Sequence, residues 1–371
     1  MDEPAFSDAR HMRRALELAL RGAGRVAPNP LVGCVLVKGG CTVGQGWHAA
    51  YGDRHAERAA LDDCLENGVD PAGATAYVTL TPCSHVGKQP PCTDALVRAG
   101  IARVVIGSDD PHAQAAAQSV GLLRGAGVRV DTGVLKGECD AVNAPYFHFI
   151  TTHTPYVVLK YAMTLDGRAA CRTGLSRWVS GEQARAHVHE TRNRLSAIMA
   201  GVGTVIADDP ALTCRMEGGR NPVRVICDSR LRIPLRSKIV QTAREVPTIV
   251  ACAHADTTAR LTLESAGCIV AQVQDDGAGK VDLRALLDML GACDIDSVLV
   301  EGGPALAGSA LDARLVDAVQ AYIAPKLFGG QEAPGPVGGL GARSPQEALR
   351  LCDVRRSFLG QDLLVEGRVA R

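Results

Sequence analysis

The sequence lacks a charge bias, a long apolar run and an N-terminal export signal. Its 40 lysines and arginines balance its 40 aspartates and glutamates, so the formal net charge is zero. This balance argues against a globally basic nucleic-acid-binding protein, although it allows a local basic patch. No run of about 18 apolar residues occurs, and no basic start precedes a short apolar segment. We therefore expect a cytoplasmic protein whose partners are small molecules, with no nucleic acid and no membrane.

Internal repeats and low-complexity tracts are also absent. With 371 residues, of which 46% are hydrophobic, the chain is long enough for two domains of about 150–200 residues, each with its own core. Helical patterns alternate with apolar runs of strand length, which is typical of an α/β protein. The stretch HFITTHTPYVVLK (148–160) places a polar, threonine-rich segment before a fresh β-branched run. We place the boundary there and predict domains over 1–150 and 154–371.

The predicted elements alternate along both halves of the chain. The first half predicts helices near 7–22 and from about 55, and strands near 32–37, 42–47 and 74–80. The second half predicts helices between several strands, which lie near 156–163, 196–200, 223–227, 247–252 and 296–300.

The cysteine content does not indicate a disulfide framework. Thirteen cysteines occur, an odd number at irregular spacing. In a reducing compartment such cysteines are better explained as core residues together with a few metal ligands.

Two segments of the first half carry candidate metal ligands. In GWHAAYGDRHAERAALDDCL (46–65), His55 and Glu57 open a helical pattern, and in LTPCSHVGKQPPCTD (80–94), Cys83 and Cys92 stand at strand-to-helix junctions. One histidine and two thiolates leave the fourth position of a tetrahedral Zn²⁺ open, as in catalytic zinc sites. Glu57 lies two residues from a ligand and is placed to shuttle protons. The alternative is two buried structural cysteines near a surface histidine.

The spacing of the two cysteines departs from the usual zinc nucleobase-deaminase pattern. That pattern has His-x-Glu followed by Pro-Cys-x-x-Cys, whereas eight residues separate Cys83 from Cys92. Metal geometry does not require this insertion, so we expect a loop beside the metal. Its His85 and Lys88 suit an anionic substituent of the substrate, and its prolines limit the entropy lost in holding it.

Several longer segments resemble a known family. The stretches APNPLVGCV (27–35), GWHAAYGDRHAE (46–57) and PCSHVGKQPPC (82–92) resemble the deaminase domain of the bifunctional riboflavin-biosynthesis deaminase/reductases. Three further stretches are similar to the reductase domain of that family, which is related to dihydrofolate reductase: LKYAMTLDGRAACRTGLSRWVS (159–180), GVGTVIADDPALTCR (201–215) and VEGGPALAG (300–308). The resemblance implies a cytidine-deaminase-like α/β/α sandwich followed by a dihydrofolate-reductase-like α/β domain.

The resemblance also implies a reaction and a site for the first domain. Zn²⁺ on His55, Cys83 and Cys92, with Glu57 moving the protons, would deaminate 2,5-diamino-6-(5-phosphoribosylamino)pyrimidin-4(3H)-one by hydrolysis. The matching motif positions imply a substrate-lining set of Asn29, His48, His85 and Lys88. Without the resemblance, these residues are explained equally well in another way: Asn29 as a turn cap, and His48, His85 and Lys88 as solvated loop side chains.

For the second domain the resemblance implies that NADPH reduces the ribosyl group to a ribityl group. Near the cofactor it places Ala162, Trp178, Thr204, Asp208, Ser229, Gly303, Pro304, Ala305, Leu306, Ala307, Gly308 and Ser309. Near the substrate it places Lys160, Ser176, Arg192, Leu212, Arg215 and Glu301. The residues alone say less, since Gly201-Val-Gly203 is an incomplete dinucleotide fingerprint. The Glu301-Gly-Gly-Pro turn after SVLV either receives a pyrophosphate at a helix start or simply joins a strand to a helix.

Two other classes of function remain as alternatives. A tRNA-editing deaminase with an accessory domain shares the His-x-Glu and cysteine set, but the zero net charge and the insertion count against it. A zinc-structured binding module normally needs four protein ligands, and only three are apparent. A chain of this size is also compatible with a symmetric homodimer.

Overall fold

The computed structural model describes residues 3–85, 89–111 and 113–370, without the side chains of residues 3–6, 113 and 114. The chain divides into two compact units, residues 1–152 and residues 153–371. None of the helices within the described residues combines the length and the apolar character needed to cross a bilayer. All 13 cysteines lie in the described parts, and each is a free thiol.

The first unit is built on a five-stranded sheet with the strand order β2-β1-β3-β4-β5. Strand β1 is antiparallel to β2 and β3, whereas β3, β4 and β5 are parallel. The strands are β1 (Gly33–Lys38), β2 (Cys41–Trp47), β3 (Thr75–Leu80), β4 (Arg103–Ser108) and β5 (Arg129–Thr132). The helices are α1 (Glu3–Ala19), α2 (Ala56–Glu66), α3 (Cys92–Arg98), α4 (Ala113–Gly125), α5 (Lys136–Val142) and α6 (Ala144–Thr152), with a short 3₁₀ turn at Leu20–Gly22.

Both faces of this sheet are covered by helices, because successive side chains of a strand point to opposite faces. Tyr77 and Val105 pack on the face that also buries Met12 of α1. Val78 and Ile106, each one residue further along, belong instead to the cluster that contains residues of α2 and α3. The result is an α/β/α sandwich, so the predicted fold of this half is confirmed.

Glycines of β2 allow α2 to lie directly on the sheet. A Cβ added at Gly46 would be 2.3 Å from the backbone nitrogen of Ala60, and one added at Gly44 would be 2.3 Å from the oxygen of Ala60. The helix that begins just after His55 is therefore held at a short, fixed distance from the sheet.

The second unit contains a nine-stranded sheet with the order β10-β9-β8-β7-β11-β6-β12-β14-β13. Strands β6 to β12 are parallel, and the β13–β14 hairpin adds an antiparallel edge. The strands are β6 (Tyr156–Thr164), β7 (Ala197–Gly201), β8 (Val223–Cys227), β9 (Thr248–Cys252), β10 (Ile269–Gln272), β11 (Ser297–Val300), β12 (Ala318–Ala324), β13 (Leu351–Leu359) and β14 (Asp362–Val369). The helices are α7 (Glu182–Arg194), α8 (Val202–Asp208), α9 (Lys238–Gln241), α10 (Thr257–Ser265), α11 (Leu283–Ala292) and α12 (Pro304–Asp312), and a 3₁₀ turn covers Pro345–Glu347.

This second sheet is also buried on both sides. Val157 and Val298 belong to one hydrophobic cluster, and their neighbours Val158 and Leu299 belong to the other. Two covered faces explain why these strands read as continuous apolar runs. The α/β architecture predicted for this half is confirmed, whereas β10, β12 and the β13–β14 hairpin were not predicted.

Candidate active sites

Three side chains at strand-to-helix junctions of the first unit form a metal-binding group. His55 is the N-cap of α2, Cys83 follows β3, and Cys92 is the first residue of α3. Nδ1 of His55 lies 3.5 Å from Sγ of Cys83 and 3.3 Å from Sγ of Cys92. All three ligand atoms lie within 4.8 Å of one another. Ligands of a tetrahedral Zn²⁺ are separated by roughly 3.6 Å, as follows from Zn–S and Zn–N bonds of about 2.3 and 2.1 Å.

The polar surroundings of this group favour a thiolate. The Cys92 thiol hydrogen-bonds to the Cys83 sulfur and lowers the pKa of the Cys83 thiol, while burial opposes the shift. His55 and the backbone N–H of Cys92, whose nitrogen lies 3.4 Å from the sulfur, lower that pKa further. Thiolate and imidazole are the donors that Zn²⁺ prefers, so the group fits a zinc ion with one open position.

Glu57 is buried beside the metal-binding group without belonging to it. Only 3% of the residue is exposed. Burial, followed by the negative charge of Cys83, raises the pKa of the Glu57 carboxyl to about 7. A carboxyl group that titrates near neutral pH can both accept and return a proton.

Asn29 and His48 form a hydrogen-bonded pair next to this centre. His48 Nδ1 lies 3.1 Å from the Arg54 carbonyl oxygen, which can only accept, so Nδ1 carries the proton. Nε2 then accepts from Nδ2 of Asn29 at 3.2 Å. Burial lowers the pKa of His48, which keeps the ring neutral, and the ring meets His55 edge-on at 5.7 Å. One N–H of the Asn29 amide is thus used by His48, whose ring contacts the candidate metal ligand His55.

The insertion between the cysteines is described only in part. His85 is exposed, and Nε2 of Gln89 donates to the carbonyl of Gly52 at 3.4 Å. That contact joins the insertion to the segment between His48 and His55. Lys88, which the sequence places in the substrate site, lies outside the described residues, and its role stays a prediction.

In the second unit, Glu301 joins two of the predicted substrate residues. Parallel pairing of β11 with β6 sets Val300 opposite Leu159, so the next residues, Glu301 and Lys160, face each other. Lys160 Nζ donates to Glu301 at 3.1 Å, and Arg192 donates twice to the same carboxylate at 2.9 Å. Burial would raise the pKa of Glu301, but the two cations lower it to about 2.

The segment 211–215 carries the remaining predicted substrate residues and is held by α7. Nη1 of Arg192 donates to the Thr213 carbonyl at 2.9 Å, and the backbone N–H of Arg215 donates to Nδ1 of His189 at 3.2 Å. Leu212 is buried with a left-handed backbone (φ 50°), whereas Arg215 is exposed. Most donors of Arg192 are thus committed within the protein, and Arg215 is the more accessible cation for a phosphate.

Sequence reasoning missed His189 and Tyr322. His189 lies three residues before Arg192 on α7, and helix residues with this spacing share a face, so the sequence spacing could have indicated it. Tyr322 is fully buried, and its hydroxyl forms a hydrogen bond with Nδ1 of His187 at 2.8 Å. Lys160 Nζ lies 5.6 Å from the centre of the Tyr322 ring. No sequence pattern indicated the contact with Tyr322, because it depends on the pairing of β12 with β6.

Four of the predicted cofactor residues lie in a row along one edge of the sheet. Ala162 is near the carboxyl end of β6, Gly303 follows β11, Thr204 follows β7 and Ser229 follows β8. These four parallel strands are neighbours in the order β8-β7-β11-β6. At about 4.8 Å per strand the row spans about 14 Å, a length suited to an extended dinucleotide. Ligands of open α/β sheets bind at this carboxyl edge.

The other predicted cofactor residues occupy several environments. Trp178 is 58% exposed, with the Arg185 guanidinium 4.6 Å from its ring centre, and Arg177 donates to the carbonyl of Asp208. Pro304, Ala305 and Ser309 are at least partly accessible. Leu306, Ala307 and Gly308 are buried, and a Cβ at Gly308 would be 2.4 Å from the carbonyl oxygen of Gly338. The first turn of α12 is thus the part of 303–309 that can meet a pyrophosphate.

Ser176, the last predicted substrate residue, is partly exposed, and its carbonyl accepts the N–H of Val179 at 3.0 Å. The turn precedes α7, which also carries Arg192. Within the described part of the chain, the Ser176 side chain makes no hydrogen bond to Glu301 or Arg215, so its place in the site stays a prediction.

Comparison with known proteins matches each half of the chain to one family model. Residues 6–108 match the cytidine and deoxycytidylate deaminase zinc-binding region, and residues 155–365 match the RibD C-terminal domain. The chain is 47% identical over 361 residues to the riboflavin biosynthesis protein RibD of Actinobacillus pleuropneumoniae, covering 97% of this chain and 95% of the relative. It is 41% identical over 337 residues to RibD of Escherichia coli, covering 87% and 89%.

Solved structures agree over nearly the whole chain. A diaminohydroxyphosphoribosylaminopyrimidine deaminase/5-amino-6-(5-phosphoribosylamino)uracil reductase from Thermotoga maritima superposes with a TM-score of 0.86 at 36% identity, covering 99% of this chain and 100% of the other. RibD of Acinetobacter baumannii superposes with a TM-score of 0.86 at 35% identity and the same coverage.

Proposed function

The chain belongs to the RibD family of riboflavin biosynthesis proteins, and from this membership we propose that it catalyses two successive steps of that pathway. The first is the hydrolytic deamination of 2,5-diamino-6-(5-phosphoribosylamino)pyrimidin-4(3H)-one. The second is the NADPH-dependent reduction of its ribosyl group to a ribityl group. The observation that carries the proposal is the His55, Cys83 and Cys92 group with the buried Glu57 beside it. We assign the deaminase to residues 1–150 and the reductase to residues 154–371.

In the deaminase, His55, Cys83 and Cys92 hold zinc. When bound, zinc would act as a Lewis acid that lowers the pKa of water towards about 7. Glu57 accepts the proton that the attacking water loses, gives it to the ring nitrogen, and assists the exit of the exocyclic amine as ammonia. A C–N bond is broken, a C=O group replaces it, and no redox partner is needed.

Around this centre the chain's polar residues orient the substrate. Asn29 contacts the pyrimidine or its substituents through Oδ1 and its second amide N–H, since neutral His48 accepts only one of its two N–H groups. His85 and Lys88 of the insertion meet the phosphoribosyl group, whose negative charge a lysine complements. These roles rest on the family's motif positions and on the Asn29–His48 geometry.

In the reductase, bound NADPH would supply the hydride chemistry that the sugar carbon attached to the pyrimidine's amine requires. The row of Ala162, Gly303, Thr204 and Ser229 would bind the cofactor along the edge of the sheet. The start of α12 would bind its pyrophosphate, because backbone N–H groups at a helix start favour phosphate. Lys160, paired with Glu301, contacts the hydroxyl groups of the opening ribose. Arg215 binds the substrate phosphate, and Arg192 keeps Glu301 and the Thr213 carbonyl in place.

The partners that the proposal includes are the phosphoribosyl pyrimidines and NADPH, in a cytoplasmic protein that forms a homodimer and binds neither nucleic acid nor membrane. Zero net charge supports the exclusion of nucleic acid, because non-specific binding depends on phosphate neutralisation. The tRNA-editing alternative is not favoured, since the second half of the chain matches a reductase domain that editing does not need.

The decisive experiment supplies the diamino substrate to the full chain. Ammonia release without NADPH, followed by NADPH oxidation only after deamination, is the expected result. Retardation of tRNA at low salt, together with no ammonia release from the pyrimidine, would support the editing alternative and contradict the proposal.

A further inference from the structure

Lys326 lies just after the end of β12 and has no part in the sites described above. Backbone contacts fix its segment, since the Lys326 carbonyl accepts the N–H of Leu165 at 2.9 Å. The Asp166 carboxylate accepts the backbone N–H groups of Phe328 at 3.2 Å and Gly329 at 2.7 Å. The base of the Lys326 side chain is therefore held in one position.

The ammonium group of Lys326 reaches the turn that carries Trp178. Its Nζ donates to the carbonyl oxygen of Trp178 at 2.9 Å and to that of Val179 at 2.8 Å. The same turn is closed by the N–H of Val179, which donates to the Ser176 carbonyl at 3.0 Å. One side chain thus fixes two consecutive peptide groups between a predicted substrate residue, Ser176, and α7.

The ring of Trp178 and its peptide group are held by different elements. The guanidinium of Arg185 in α7 lies 4.6 Å from the ring centre, and Nη1 of Arg185 donates to the Ser180 carbonyl at 2.7 Å. Within the parts of the chain that the structure describes, only Lys326 donates to the Trp178 and Val179 carbonyls. Because 58% of Trp178 is exposed, packing alone does not fix it. Loss of the Lys326 contacts would therefore free the backbone to which the ring is attached.

We propose that Lys326 is a positioning residue of the reductase, whose ammonium group holds the 176–179 turn in the form that receives the dinucleotide cofactor. A turn that is already ordered does not have to be ordered when the ligand binds, so less of the binding free energy is lost. Lys326 acts through Trp178 and not on a reacting atom. The inference rests on the proposed reductase function, because Trp178 has this role only if the second unit binds NADPH.

The first test measures the turn itself, in the full chain without cofactor or substrate. The chain contains two tryptophans, so Trp47→Phe leaves Trp178 as the only source of tryptophan emission. In that background Lys326→Met should lower the fluorescence anisotropy of Trp178, because methionine has a similar length but donates no hydrogen bond. Lys326→Arg should restore the parent value, since a guanidinium can donate to both carbonyls.

The second test measures what the turn does for the cofactor. Lys326→Met should raise the Kd and the KM for NADPH by about 10-fold, as expected for the loss of exposed charge-assisted hydrogen bonds. At saturating NADPH, kcat should change by less than about twofold, because the bound cofactor orders the turn again. Lys326→Arg should stay within about threefold of the wild type. Arg284→Met is the matched control and should change none of these values, since that exposed guanidinium donates to a different carbonyl, that of Ala313 at 3.1 Å.

Unchanged anisotropy or an unchanged Kd for NADPH in Lys326→Met would overturn the proposal, and so would a fall in kcat without a rise in KM. If Lys326→Met does not fold, Lys326→Gln, which is neutral and one bond shorter, is measured in its place against the same expectations. A wild-type chain that binds no NADPH would contradict the proposed reductase function. The anisotropy of Trp178 would then still decide whether Lys326 fixes the turn.

Discussion

Replacement of Glu57 by Gln separates proton transfer from metal binding and from the fold. Glutamine has nearly the same shape, so the buried site keeps its packing, but it cannot carry a proton between water, ring nitrogen and amine. Positioned general acid–base groups contribute about 10²–10⁴-fold to a rate. We therefore expect kcat for ammonia release to fall by that factor, which corresponds to about 3–5 kcal/mol of transition-state stabilisation. Zinc content should stay at about one ion per chain, since Glu57 is outside the ligand group.

The assays are ammonia release, metal analysis and NADPH oxidation on the same preparation. Glu66→Gln is the matched control, because Glu66 is an exposed residue at the far end of the same helix and should leave all three unchanged. NADPH oxidation with the deaminated intermediate should also be unchanged, since the two sites share no residues. Loss of zinc from Glu57→Gln would make Glu57 a ligand, and loss of reduction would mean that one site serves both steps. Undiminished deamination would refute the proton-shuttle role.

Three further outcomes are expected. Removal of zinc by a chelator should abolish ammonia release and leave the oxidation of NADPH with the deaminated intermediate intact, and equal loss of both would contradict separate sites. Glu301→Gln should destabilise the second unit by about 3 kcal/mol at pH 7 in thermal unfolding, because the buried cations Lys160 and Arg192 lose their partner. In the folded protein the pKa of Glu301 is lowered from 4.5 to about 2, so its carboxylate stabilises the fold fully above pH 4.5. The difference in unfolding free energy between wild type and variant should therefore shrink as the pH falls from about 4.5 towards 2. Gly33→Ala should destabilise the first unit by several kcal/mol in denaturant unfolding, because its Cβ would lie 1.9 Å from the Ala15 oxygen, whereas Gly121→Ala in α4, with nothing within 4 Å, should stabilise it by up to about 1 kcal/mol.

The zinc group could be predicted from the sequence because its geometry is mostly local. His55 and Cys92 each stand at the start of a helix, and Cys83 stands at the end of a strand, and these junctions are visible as changes of hydrophobic period. Only the adjacency of β1 and β3 had to be supplied by the fold. Residues that act at element ends are therefore the ones that sequence motifs place best.

The reductase site could be predicted only as a set of positions, because its contacts depend on strand order. Strand β11 is inserted between β7 and β6, although about 100 residues separate it from β7 in sequence. This insertion brings Glu301 to Lys160 and sets Gly303 beside Thr204. The resemblance placed Arg192 near the substrate, but the structure pairs most of its donors with Glu301 and Thr213. Such pairing follows from long-range register, which periodicity does not encode.

The long insertion between the two cysteines has a physical explanation in the contacts at its two ends. The backbone N–H of Cys92 donates to Sγ of Cys83 at 3.4 Å, and the N–H of Thr93 donates to the Cys83 carbonyl at 3.1 Å. These contacts hold Cys83 close to Cys92 without using any residue of the insertion, so the positions of the two ligands do not depend on the residue types in the loop. Of those residues, Gln89 also donates to the Gly52 carbonyl, and this contact ties the described end of the insertion to the segment that leads to His55. The insertion is therefore the part of the deaminase site that can vary without loss of zinc, and we expect the choice of substrate to depend on it.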